Sequence, residues 1–83
     1  TLFKTIAENE HTSVMYESVH RIEKTLESLV SALEESRLVV IARELTKMHE
    51  EVVRGTAKEV IIHFQTNKDH IRGEFVIIVE GKK

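Results

Sequence analysis

The sequence predicts an α/β domain, a mixed and mostly parallel sheet flanked by helices, on three observations. A helical stripe of apolar residues runs from Val19 to Leu33. An unbroken apolar run, Leu38 to Ala42, is rich in β-branched residues and too short for a helix, and a second such run follows at Phe75 to Val79. Continuous apolar runs of that length are the signature of strands buried on both faces. A strand, a helix and a buried strand in succession make a β-α-β unit, which packs with a right-handed crossover and parallel strands.

Taken in order, Leu2, Phe3 and Ile6 predict a short helix of marginal intrinsic stability. Ser13 to Tyr16, with Val14 and Met15 after a polar stretch, predicts a short strand. Val19, Ile22, Leu26, Leu29, Val30 and Leu33 then fall on one helical face, with Glu23, Lys24, Glu27, Glu34 and Glu35 on the other and Ser18 where an N-cap belongs. Leu38 to Ala42 reads as a central strand, Arg43 to Glu51 as a polar connection, and Val52-Val53 as a short returning strand that ends at Gly55. Thr56 with Glu59 three residues on is a capping box, and Ala57, Val60, Ile61 and Phe64 follow at helical spacing. Asn67 to Gly73 is turn-rich, and Glu80-Gly81 closes the last strand.

With 83 residues and 41% apolar content, the chain holds one domain with one modest core. A chain of this size buries roughly 60 to 65% of its unfolded surface, so an absent partner surface would be felt. The chain begins at Thr1, directly in the apolar-polar pattern, which reads as a cut from a longer protein. Twelve Lys and Arg against 14 Asp and Glu are interspersed, unlike a polyanion-binding tail. The absence of cysteine excludes disulfides and thiolate metal sites and fits a reducing cytoplasm. No run approaches the ~18 apolar residues of a transmembrane helix, so no membrane association is expected.

Chemistry-bearing patterns are sparse. None of the 5 histidines forms the helical pair of a zinc site. Adjacent carboxylates at Glu34-Glu35 and Glu50-Glu51 point apart on a helix or strand and read as solvated surface. Gly55, Gly73 and Gly81 are too far apart for a phosphate loop, and no serine nucleophile elbow occurs. What remains is positional, because ligands of open α/β sheets gather beyond the carboxyl ends of strands. Tyr16 to His20, Arg43 to Lys47 and Glu80-Gly81 leave strands in that way, and they converge if those strands are parallel.

At these strand ends the motifs become specific. Tyr16-Glu17-Ser18-Val19-His20-Arg21, Ala42-Arg43-Glu44-Leu45-Thr46-Lys47, His49-Glu50-Glu51, Arg54-Gly55-Thr56 and Gly73-Glu74-Phe75 stand in an order and spacing that resembles the C-terminal half of the ribosomal RNA small subunit methyltransferase I family. The resemblance runs from Thr12 to Gly81. It departs at Val19, where the family usually has proline; valine loses the fixed φ suited to a first helical position but keeps an apolar contact.

The resemblance implies an S-adenosylmethionine-dependent enzyme of the tetrapyrrole methylase superfamily. Such enzymes have two α/β domains, hold the cofactor between them and commonly form homodimers. Its substrate would be the ribose 2'-hydroxyl of a cytidine in 16S ribosomal RNA of the small subunit. Residues 1–83 would be the C-terminal domain, inactive alone because the glycine-rich cofactor motifs of the N-terminal domain have no counterpart here. Carried over position by position, Tyr16, Glu17, Ser18, Arg43, Leu45 and Thr46 line the cofactor pocket. Arg43, Lys47 and Arg54 become candidates for RNA phosphate contacts, which need only positive charge at a cleft rim. Glu44 is the candidate catalytic residue. Two alternatives stay open: a corrin or porphyrin methylase domain, against which the Glu44 to Lys47 motif argues, and a non-catalytic interaction module.

Overall fold

The computed structural model describes residues 2–46, 49–68 and 73–82. The elements are α1 (Leu2–Glu8), β1 (Ser13–Glu17), α2 (Ile22–Ala32), β2 (Leu38–Thr46), β3 (His49–Thr56), α3 (Ala57–Thr66) and β4 (Glu74–Val79). Mixed α/β architecture is as expected, but strand direction is not: the sheet runs β1-β4-β2-β3 and every neighbouring pair is antiparallel. The mostly parallel sheet is therefore corrected. β1 and β2 do run parallel to each other, as a β-α-β unit requires, but β4 lies between them. The β3-α3-β4 unit likewise steps over β2. Each crossover leaves a one-strand slot that a strand of the other unit fills in the opposite sense. An apolar run encodes burial, not pairing direction, so the sequence pattern could not report this.

The connection expected over Arg43 to Glu51 is also shorter than predicted. β2 continues through Thr46 and β3 starts at His49, so Arg43 and Glu44 are strand residues in a β-hairpin, paired with Glu51 and Glu50. Polar side chains disguised a strand end.

α2 and α3 cover one face of the sheet. Val39, Ile41, Phe75, Ile77 and Val79 point into that layer against Ile22, Leu26, Leu29, Val60 and Phe64, all essentially inaccessible to solvent. The rings of Phe64 and Phe75 meet edge to face at 5.7 Å. Val14 and Tyr16 of β1, Leu38 of β2 and Val52 of β3 are exposed on the other face of the sheet. β2 is thus central in the sheet but covered on one face only, because all the helices described lie on the same side or at its edge.

Helix starts follow two different devices. At α3 the predicted capping box forms, with Glu59 N–H donating to Thr56 Oγ1 at 3.2 Å and Thr56 N–H donating to Glu59 Oε1 at 3.0 Å. At α2 the helix begins at Ile22 rather than after a Ser18 side-chain cap. The Ser18 carbonyl accepts from Arg21 N–H and Ile22 N–H, at 3.1 and 3.0 Å, and turns the chain before the helix proper.

Arg37 is buried beyond the end of α2 and ties three segments together. Its guanidinium donates to the carbonyls of Ala7 (2.6 Å), Glu80 (3.3 Å) and Ile6 (3.5 Å), and its Nε lies 2.8 Å from Glu34 Oε1. Nearby, Gly81 passes so close to the Glu10 carbonyl that an added Cβ would sit 2.1 Å from it. Only glycine permits that approach.

Candidate functional site

Because β1 and β2 are parallel, the Tyr16-Glu17-Ser18 and Arg43-Glu44 segments reach the same end of the sheet. Antiparallel β4 brings its beginning, Gly73 and Glu74, to that end, in register with Glu44. Glu80-Gly81 falls at the opposite end, where Glu80 N–H bonds the Leu38 carbonyl. Two of the three anticipated strand ends converge, and the third is corrected.

Two rows of residues define this end. On the helix-covered face, Glu17, Phe75, Arg43 and Glu51 stand side by side across the four strands. On the open face, Tyr16, Val76, Ala42 and Val52 form a row; in strand register, Glu74, Glu44 and Glu50 come next. Glu44, Leu45 and Thr46 are placed by strand position alone, and Lys47 lies outside the described residues.

Tyr16 is 81% exposed and borders two concavities. One, about 490 Å³, is lined by Tyr16 to Val19 and Gly73 to Phe75. The other, about 230 Å³, lies between Tyr16, Ala42, Val52 and Val76, with Arg43, Glu51 and Glu74 also in its wall. The larger falls within the range of small-molecule sites, though it is wide open. A groove of about 430 Å³ between Phe3, Ala7 and Ala32 brings together none of the motif residues.

The charged candidates behave differently from Tyr16. Glu17 turns inward: Thr25 Oγ1 donates to its Oε2 at 2.6 Å, Ser18 N–H donates to its Oε1 at 3.2 Å, and Arg21 Nε lies 3.9 Å away. Arg43 is only 9% exposed, with Nε donating to Glu51 Oε1 at 3.1 Å. Glu51 Oε2 in turn lies 3.6 Å from His63 Nε2 on α3. Arg43 is therefore largely buried and ion-paired, reaching only the wall of the smaller concavity. Arg54, by contrast, is exposed on the open face at the edge strand β3.

Sequence reasoning missed Thr25, Glu51 and His63. Glu51 was read as solvated surface, yet it shares the covered face with Val53. The period-2 relation of those two residues was the available signal. Among the described residues no three His, Cys, Asp or Glu side chains gather as a metal site, and no helix is long and apolar enough to cross a membrane.

No family model matches the chain. Its fold is similar to part of a cobalt precorrin-4 methyltransferase of cobalamin biosynthesis, with a TM-score of 0.69 at 24% identity, covering 94% of this chain and 32% of that one. The architecture is thus one found within a tetrapyrrole methyltransferase. More specifically, the chain is similar in sequence to one part of proteins named ribosomal RNA small subunit methyltransferase I. It is 42% identical over 79 residues to the protein of that name from Haemophilus influenzae, covering 95% of this chain and 28% of the relative. Against the Bacillus subtilis protein it is 41% identical over 78 residues, covering 94% and 26%, and against that of Escherichia coli O157:H7 41% over 80 residues, covering 96% and 28%. The motif resemblance is borne out, and the chain spans little more than a quarter of the length of these relatives.

Proposed function

We propose that this chain is the C-terminal domain of an S-adenosylmethionine-dependent methyltransferase that modifies the ribose 2'-hydroxyl of a cytidine in 16S ribosomal RNA. The observation that carries the reading is the parallel delivery of the two family motifs, Tyr16-Glu17-Ser18 and Arg43 to Thr46, to one end of the sheet beside open concavities.

The residues present suit one wall of an adenosine pocket and no more. Tyr16 offers an exposed ring face for stacking, and Ser18 an exposed hydroxyl. When bound, S-adenosylmethionine supplies an electrophilic methyl group. The domain's own part is to orient, since positioning accounts for much of the rate in such bimolecular transfers. Leu45 and Thr46, on the second motif, complete this wall in the proposal. Arg54, exposed on the edge strand, would meet RNA phosphates, as the resemblance implies for Lys47 too, whereas Arg43 serves the site from inside. Glu44 is the proposed catalytic residue.

The open apolar face continues from the Tyr16 wall, and in this reading the N-terminal domain covers it and supplies the other half of the pocket. The full-length enzyme would be cytoplasmic and, as the resemblance implies, a homodimer, a state that light scattering checks. Methyl transfer from labelled S-adenosylmethionine to 30S subunits lacking the modification tests the function. Label at a cytidine ribose, lost in Glu44→Ala and weakened in Arg54→Ala, is the expected result. No label on any RNA would overturn it.

A further inference from the structure

The Glu17 carboxylate sits where an apolar side chain would serve packing better. Its side chain is only 16% exposed, it neighbours Phe75 on the covered face, and the next position on that face of β1 is the apolar Met15. Withdrawing a carboxylate this far from water is costly unless donors replace the lost hydration. Two donors do, and they belong to different parts of the molecule. Thr25, 5% exposed in the body of α2, gives a short charge-assisted bond of 2.6 Å, and the Ser18 backbone N–H gives the other at 3.2 Å. One carboxylate thereby locks the backbone of the turn to the helix beneath it. Tyr16, just before it, is 81% exposed, so the direction of its side chain depends largely on the backbone of the turn.

We infer that Glu17, held by Thr25, is a positioning residue whose inward carboxylate fixes the Tyr16 to Ser18 turn for ligand binding. This rests on the proposed cofactor pocket at that turn. It gives Glu17, which also borders the larger concavity, a bracing role through its inward carboxylate.

The test uses the full-length protein that carries this chain, with Thr25→Val, which removes the hydroxyl at nearly constant shape, and Thr25→Ser, which restores it. Two quantities are measured: hydrogen exchange in the peptide spanning Ser18, and S-adenosylmethionine affinity by calorimetry. In Thr25→Val, exchange at the turn should rise and affinity should fall about tenfold, the equivalent of one lost hydrogen bond to a charged group. The KM for the cofactor should rise in step while kcat at saturation is kept. Thr25→Ser should return both quantities to near the parent values. Glu17→Gln, which keeps an acceptor for Ser18, should fall between the two. Unchanged exchange in Thr25→Val would overturn the brace itself. Faster exchange with unchanged affinity would reduce the contact to simple packing. A parent that binds no S-adenosylmethionine would instead defeat the cofactor reading, and the positioning role with it, whatever exchange reports.

Discussion

The two faces of this one sheet are built from the same strands and have opposite fates. Val39, Ile41, Phe75, Ile77 and Val79 are buried under α2 and α3, while Val14, Tyr16, Leu38 and Val52, from the alternating set of positions, meet solvent. Both sets are apolar. The covered face is where the domain gains its stability, since each fully buried aliphatic contributes about 1.5–3 kcal/mol. The open face contributes far less in this chain, and in the proposed reading it is the surface that the N-terminal domain covers. Apolar patches of this kind on a soluble domain mark contact surfaces. Strand apolarity alone therefore says that a residue belongs in an interior, but not whose interior.

Substitutions on the two faces should separate most clearly. Ile41→Ala, in the covered layer, is expected to lower unfolding stability by about 3 kcal/mol, whereas Val52→Ala on the adjacent strand and open face should change it by less than about 0.5 kcal/mol. Urea denaturation of the two variants compares them, and equal losses would break the distinction. Next in size is Arg37→Met, which strips the carbonyls of Ile6, Ala7 and Glu80 of their buried donor. A cost of about 2 kcal/mol is expected, read from the same transitions.

Thr56→Ala removes the cap at the start of α3 and should cost about 1 kcal/mol. The paired effect on Glu59 is visible in pH. The Thr56 backbone N–H first, and its hydroxyl second, hold the Glu59 carboxyl below its ordinary value of 4.5. The folded state thus favours the carboxylate. Its contribution is present above pH 4.5 and is lost as pH falls through the lowered folded value. Acid titration of stability should show this slope in the parent and a weaker one in Thr56→Ala. The smallest effect sharpens the comparison of faces. Val14→Ser should barely alter the 83-residue chain, yet cost about 1 kcal/mol more in the full-length protein if the open face is covered there. Equal small effects in both would leave that face as surface.

Much of the molecule was legible from residue order. The α2 stripe, the Thr56 capping box and the apolar runs at Leu38 and Phe75 are local patterns whose meaning depends on neighbours within a few positions. So are the motifs at Tyr16 and Arg43, whose residues alone carry the resemblance to the relatives. The error at Ser18 was also local, because a backbone carbonyl did the work expected of its side chain. Arg43 and Glu51 were misjudged for a different reason. Each looks like an exposed charge in sequence, and only the β2–β3 register sets them side by side, above His63 on α3.

The sequence by itself determined the helices, the apolar cores of the strands though not the polar ends of β2 and β3, the capping of the helix over Ala57 to Thr66 and the motifs the chain carries. All of these follow from periodicity and side-chain chemistry acting over short range. Tertiary structure alone decided the antiparallel insertion of β4 between β1 and β2, the choice of covered face and the inward turn of Glu17 and Arg43. Those depend on which strand fills the slot left by each crossover, a matter of long-range packing that no local pattern encodes.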